Sequence, residues 1–317
     1  MSRIRAVFLG TPDIARHCLA ALIKDEHFEI VGVVSQPDRP AGRKLQLQPS
    51  PVKELVLPLG IPVLTPENVN DPAVLAQIAA WKAEVAIVVA FGQILKNAFL
   101  NMFPQKVVNV HASLLPRWRG AGPIQRALMN GDPESGVSLQ VVVRKMDAGP
   151  VLGTRKFKQP PEMNAFQAYE RCQELATELL EVDLMDYLRG NLTPVPQDES
   201  QVTYAAKIDK AESEFDWSRS AMELQNLVRG LAMGPVAQTR RDGKILKIHR
   251  TVVVPGKSAT ARPGQVLEAT DKSLIVQCGQ DSLQLLEVQP ESRSKMPITE
   301  YLRGYPVKPG DQFGVPT

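Results

Sequence analysis

Asn109, His111 and Ser113 stand at alternate positions where the apolar run 107–110 (VVNV) gives way to a loop rich in Pro and Gly. Side chains two apart on a strand share one face, so Asn109 and His111 project together. An amide donor beside an imidazole suits transfer at a carbonyl carbon, where charge gathers on oxygen and a proton leaves the attacking nucleophile. Asp147, in the turn KMDAGPV, supplies a candidate carboxylate to orient the histidine or to bridge to it through water. Each residue alone also has a plainer reading. Asn109 and His111 can cap a strand end, and Asp147 can close an Asx-turn.

Such a pair needs a strand whose carboxyl end opens onto a crevice, and the preceding sequence builds one. Apolar, β-branched runs at 3–9, 29–35, 84–90 and 107–110 alternate with helical patterns at 13–24, 72–81 and 94–100. That alternation predicts a doubly wound α/β domain with a parallel sheet covered on both faces. Ligands of such sheets bind at the carboxyl ends of the strands, where Asn109 and His111 fall. Strands at 137–143 and 151–158, joined through DAGP, read as an added hairpin, and 164–189 as one long amphipathic helix. GTPDIA after the first strand lacks the GxGxxG fingerprint and reads as a structural turn.

The 317 residues exceed the usual size of one domain. The polar, Pro- and Thr-containing stretch 190–206 reads as a linker, giving domains at 1–189 and 207–317. After a helix near 219–230, short apolar segments at 244–254, 264–268, 273–277 and 282–288 predict a small β-barrel. No apolar run approaches the roughly 18 residues of a membrane span, and the amino terminus has no secretory pattern, so a cytoplasmic protein is expected. Cysteines at 18, 172 and 278 give neither a disulfide framework nor zinc-ligand spacing, and the four histidines are too scattered for a metal site. The net charge of +3 leaves nucleic-acid binding to local basic clusters.

The segment NVHASLLPRWRGAGPIQRAL, followed by MDAGP, resembles the signature of folate-dependent formyltransferases. QPDRPAGRKLQLQPSPVKELV at 36–56, FDWSRSA at 215–221 and MPITEYLRGYPVKPGDQFG at 296–314 extend the likeness to the methionyl-tRNA branch of that family, over essentially the whole chain. The resemblance implies a Rossmann-like formyltransferase domain and a C-terminal barrel of the OB-like kind. It implies 10-formyltetrahydrofolate as formyl donor, no metal, and methionyl initiator tRNA as acceptor, with formylmethionyl-tRNA made for translation initiation. Asn109 would then bond the formyl oxygen, His111 assist proton movement or stabilise the tetrahedral intermediate, and Asp147 orient water and His111. Ser113, Leu114, Leu115 and Pro116 would line the folate site.

For tRNA, the loop 36–51 offers Arg39, Arg43 and Lys44, with Arg43 at the family's basic position; alone, these are ordinary charges of a solvated loop. Arg240, Arg241, Lys244, Lys247 and Arg250 flank an Asp-Gly turn and are expected to form either a basic sheet face or a protected strand edge. Trp118 either stacks on substrate or braces its loop. Ala112 and Lys44 stand where the family has glycine, and LAMGP at 231–235 replaces an aromatic, Pro-rich segment. The same trio on a small amine, or an RNA-binding protein without activity, are the rival readings. The second domain speaks against the first and the intact trio against the second. A monomer is the default expectation.

Overall fold

The structure is a computed structural model describing residues 3–41, 46–256, 258 and 260–314. The first half of the chain builds the strands β1 (Ile4–Gly10), β2 (Phe28–Val34), β3 (Arg39–Ala41), β4 (Gln46–Gln48), β5 (Val63–Leu64), β6 (Val85–Val89), β7 (Val107–His111), β8 (Arg119–Gly120), β9 (Glu134–Val141) and β10 (Val151–Lys158). Seven of them form one sheet in the order β10-β9-β7-β6-β1-β2-β5. β1, β2, β5, β6 and β7 run parallel, as β-branched runs buried on both faces require. β6 is buried throughout. β9 joins antiparallel to β7 and β10 follows at the edge, which is the expected hairpin. The helices Asp13–Lys24 and Pro72–Ala80 fall where periodicity placed them.

Two helical expectations are corrected. Residues 94–100 make only the single turn Asn97–Leu100. The pattern 164–189 is divided into Ala165–Glu181 and Asp183–Leu188. At the break, Asp183 pairs with Arg155 Nη2 at 2.6 Å and lies over Gly153, where a Cβ would meet its Oδ1 at 2.0 Å. A tertiary ion pair thus overrides a continuous helical period.

The compact units do not follow one cut in the chain. The first gathers the described residues of Met1–Gly120, Glu134–Phe157 and Tyr169–Ala205; the second gathers Ala121–Pro133, Lys158–Ala168 and Ala206–Thr317. Most of the stretch read as a linker therefore packs in the first unit, where β11 (Tyr204–Ala205) pairs parallel with β8. In the second unit, Arg126 pairs with Glu212 and donates to the carbonyls of Ala206 and Lys207, tying the helix Pro123–Asn130 to the start of the C-terminal part.

That C-terminal part is a curled antiparallel half-barrel. β12 (Gln238–Arg241), β13 (Lys244–Val254), β14 (Val266–Ala269), β15 (Leu274–Gln277) and β16 (Ser282–Pro290) lie in the order β12-β13-β16-β15-β14, with β17 (Met296–Pro297) on β16. Irregular register in β13 and β14 bends the sheet. Trp217, Leu227, Leu246, Ile248, Leu285 and Phe313 belong to its core. The chain end closes the sheet through Phe313 N–H to Gly264 O and Gly314 N–H to Arg240 O. No helix among the described residues is long and apolar enough to cross a membrane.

Candidate active site

β7 is the central support of the site. It lies between β6 and β9, so its register is fixed on both sides, and it ends at His111. Asn109 faces Gln140 across the ladder and His111 faces Ser138. His111 is buried, with Nε2 2.8 Å from the Trp118 carbonyl oxygen. A carbonyl only accepts, so Nε2 carries a proton and Nδ1 is the nitrogen left for acid–base work. Nδ1 lies 3.7 Å from Asp147 Oδ2, an ion-pair distance too long for a direct hydrogen bond. Among the described residues nothing hydrogen-bonds the Asn109 amide. The structure therefore brings Asn109, His111 and Asp147 to one strand end; spacing alone puts only Asn109 and His111 on a shared face and does not place Asp147.

Two loops are bent to make this possible. Trp118 (φ 60°) and Asp147 (φ 51°) both take the left-handed conformation, which costs a non-glycine residue of order 1 kcal/mol or more. Between the loops, Gly120 N–H donates to Asp147 Oδ2 at 2.9 Å, and Gln140 Nε2 donates to Oδ1 at 3.1 Å. Both carboxylate oxygens are thus anchored. Gly120 has φ 124°, and a Cβ there would meet the Ala205 carbonyl at 2.6 Å, so only glycine brings this N–H to Asp147 without strain.

The stretch 190–205 adds groups that sequence reasoning missed. Trp118 N–H donates to Thr203 Oγ1 and Arg119 N–H to Thr203 O, both at 2.9 Å. Arg119, only 1% exposed, donates Nε and Nη2 to Gln197 Oε1 and Nη2 also to Glu199 Oε1. Lys145 holds the other Glu199 oxygen at 2.6 Å. Arg119, and after it Lys145, pulls the Glu199 pKa down to about 2. Gln197 Nε2 donates in turn to the carbonyls of Asp147 and Gly149. The sequence signal for this web is slight, a buried arginine beside Gly120 and a few polar residues in a segment without apolar period.

Comparisons with known proteins meet this geometry. Residues 3–183 match the formyl transferase family and residues 207–306 the formyl transferase C-terminal domain. A methionyl-tRNA formyltransferase of Bdellovibrio bacteriovorus is 54% identical over 99% of this chain and 100% of its own length. The chain belongs to the methionyl-tRNA formyltransferase family. That of Methylobacillus flagellatus is 42% identical, covering 98% of this chain and 100% of the relative. The fold is shared with the N-formyltransferase of Helicobacter canadensis, solved with folinic acid and dTDP-3-aminofucose. That structure gives a TM-score of 0.68 at 16% identity, over 92% of this chain and all of that one.

The segment Ser113–Pro116, which the resemblance assigns to the folate site, is tied down by hydrogen bonds of its own loop and of β9. Ser138 Oγ donates to Ser113 O and accepts from Leu115 N–H, while Ser113 Oγ donates to Arg117 O at 2.6 Å. The Ser113 hydroxyl is therefore spent on loop shape. Leu115 and Pro116 line a cavity of about 270 Å³ with Val151, Leu152, Val195 and Gln197. Its walls are largely apolar, with Thr154, Gln197 and Asp198 as the polar side chains. Leu114 packs on Gly136, where a Cβ would meet its Cδ2 at 2.6 Å. Among the described residues, no three His, Cys, Asp or Glu are grouped to hold a metal ion. All three cysteines are free and buried, their pKa pushed up to about 12 by desolvation, so none is a thiolate nucleophile.

The basic candidates are less united than the sequence implied. Arg39 lies in the β3–β4 hairpin and makes a forked pair with Glu67, both exposed. Arg43 and Lys44 lie outside the described residues. Arg240, Arg241, Lys244 and Lys247 do not form one face. In the β12–β13 register Arg240 pairs with Ile245 and Gln238 with Lys247, whereas Arg241 pairs with Lys244. Adjacent strand residues point oppositely, so Arg240 and Lys247 share the outer face. Arg241 turns inward to the Pro306 carbonyl, the Tyr301 hydroxyl and Asp311, with its guanidinium over the Phe313 ring. It braces the chain end.

Proposed function

We propose that Asn109, His111 and Asp147 carry the family's reaction, transfer of the formyl group of 10-formyltetrahydrofolate to the α-amine of methionyl initiator tRNA. An α-amine has a pKa of roughly 7.7–8.0, so much of the acceptor is protonated at neutral pH and only its neutral fraction attacks. As the amine nitrogen bonds the formyl carbon, its proton passes to His111 Nδ1. The resulting imidazolium is held between the Trp118 carbonyl and the Asp147 carboxylate. The unbonded Asn109 amide donates to the formyl oxygen as negative charge develops there. The proton then leaves with the folate nitrogen as its bond to the formyl carbon breaks, giving formylmethionyl-tRNA and tetrahydrofolate.

The observation that carries this reading is the clamp on His111, beside a free amide two residues earlier on the same strand. The Leu115–Pro116 wall supports folate at Ser113–Pro116. For tRNA we assign Arg39, Arg43, Lys44, Arg240, Lys244 and Lys247, with residues 1–189 as the catalytic domain, 190–206 as the join and 207–317 as the tRNA-binding domain. One chain supplies the whole trio, so a monomer suffices for the reaction and is the state we assign, in the cytoplasm where initiation occurs. The test offers 10-formyltetrahydrofolate with methionyl initiator tRNA or with a panel of small amines and follows the formyl amide by mass spectrometry. Product on the aminoacyl-tRNA alone is expected; product only on a small amine overturns the acceptor, and none on either overturns the activity.

A further inference from the structure

We propose that Gln197, held by Arg119, is a positioning residue for the acid–base pair, setting the separation of His111 and Asp147 from a segment distant in sequence. This rests on the roles proposed above for those two residues.

The amide of Gln197 is used to capacity and in one orientation. Its nitrogen donates to Asp147 O at 2.8 Å and to Gly149 O at 2.7 Å, with a longer contact to Gln140 Oε1 at 3.4 Å, and its oxygen accepts from Arg119 Nε at 3.1 Å and Nη2 at 2.8 Å. A flipped amide would set an acceptor against two carbonyls and a donor against a guanidinium, so the polarity is fixed. Gln197 thereby joins the two bent loops. Arg119 lies between Trp118, whose carbonyl holds His111, and Gly120, whose N–H holds Asp147. The Asp147 turn is in the left-handed region and needs an external restraint to stay there.

Arg119 is built for this task at a cost. Its guanidinium is buried, and Nη1 has no hydrogen-bond partner. A buried charge is retained only where its pairing is strong, and here that pairing is the fork on Gln197 and Glu199. Supporting groups one step removed from a reacting group commonly matter by about 10–100-fold, and a displacement of about 1 Å can cost as much in rate.

The experiment measures formyl transfer to methionyl-tRNA by full-length Gln197→Leu protein, alone and with Asp147→Asn. Expected is a fall in kcat of about 10–100-fold, with KM for both substrates within about twofold. The thermal midpoint falls as well, because buried Arg119 loses part of its pairing, so the deciding readouts are the split between kcat and KM and the double-mutant cycle. In the Asp147→Asn background the same change is expected to cost almost nothing further, because there is no longer a carboxylate to place. A plain packing role would instead act equally in both backgrounds. Should Gln197→Leu fail to fold, Gln197→Glu keeps the acceptor for Arg119, loses every donated bond and carries the same expectation. Wild-type kcat in these variants, or an equal loss in both backgrounds, overturns the proposal. Wild-type turnover in His111→Ala would instead remove the underlying assignment, so the two failures are distinct.

Discussion

His111 Nε2 donates to the Trp118 carbonyl at 2.8 Å. The bond fixes which ring nitrogen is free, and it does so with a residue held in a left-handed conformation. In the proposed mechanism, acid–base chemistry is directed to Nδ1 and to Asp147, whose two oxygens are separately held by Gly120 and Gln140.

Asn109→Ala removes an amide that has no hydrogen-bond partner among the described residues and that the proposed mechanism aims at the developing oxyanion. The expected loss in kcat is about 10²–10³-fold with little change in folding, since the amide holds no other group in place. Steady-state kinetics with a thermal melt checks both halves. A variant that keeps wild-type kcat would remove Asn109 from the reaction.

Gly120→Ala forces a Cβ toward the Ala205 carbonyl at a φ that L-residues avoid. A destabilisation of about 1–3 kcal/mol is expected, together with lost activity as the N–H to Asp147 is displaced. Denaturant melts and turnover measured on the same sample decide it.

His249 makes a pH prediction. Burial lowers its pKa from the ordinary 6.5, with the Gln289 hydrogen bond opposing. The unfolded chain then binds more protons than the folded one between the two values, so stability falls as pH falls. The contribution is fully present above about pH 6.5 and is lost toward the lower folded value. Replacing His249 with glutamine is expected to flatten the decline in the denaturation midpoint between about pH 8 and pH 5.

The outer face of β12–β13 predicts a salt effect. Neutralising Arg240 and Lys247 together is expected to reduce the slope of log affinity for tRNA against log salt by about 1–2. Arg241→Gln is expected to lower the thermal midpoint instead, because its guanidinium braces the chain end. Filter binding across a salt series separates them.

Much of this was legible in the sequence because it follows from period and position. Buried β-branched runs gave the parallel strands, and the i, i+2 spacing put Asn109 and His111 on one face at the ligand-binding end of the sheet. The partner of His111 was not legible, since it is a backbone carbonyl, which every residue has. Gln197 and Thr203 were hidden because they act by single polar contacts in a segment with no apolar repeat. The division of Arg240 from Arg241 was available in principle. Neighbouring residues on a strand point oppositely, and the Asp242-Gly243 turn, with both φ values positive, fixes the register.

The most direct measurement is single-turnover formyl transfer by wild-type and His111→Ala proteins, with saturating 10-formyltetrahydrofolate and methionyl initiator tRNA, alongside tRNA binding by each. Wild type is expected to give formylmethionyl-tRNA, and His111→Ala to lose about 10²–10⁴-fold in rate while binding tRNA as before. Product formed by His111→Ala at the wild-type rate would contradict the catalytic assignment of this site.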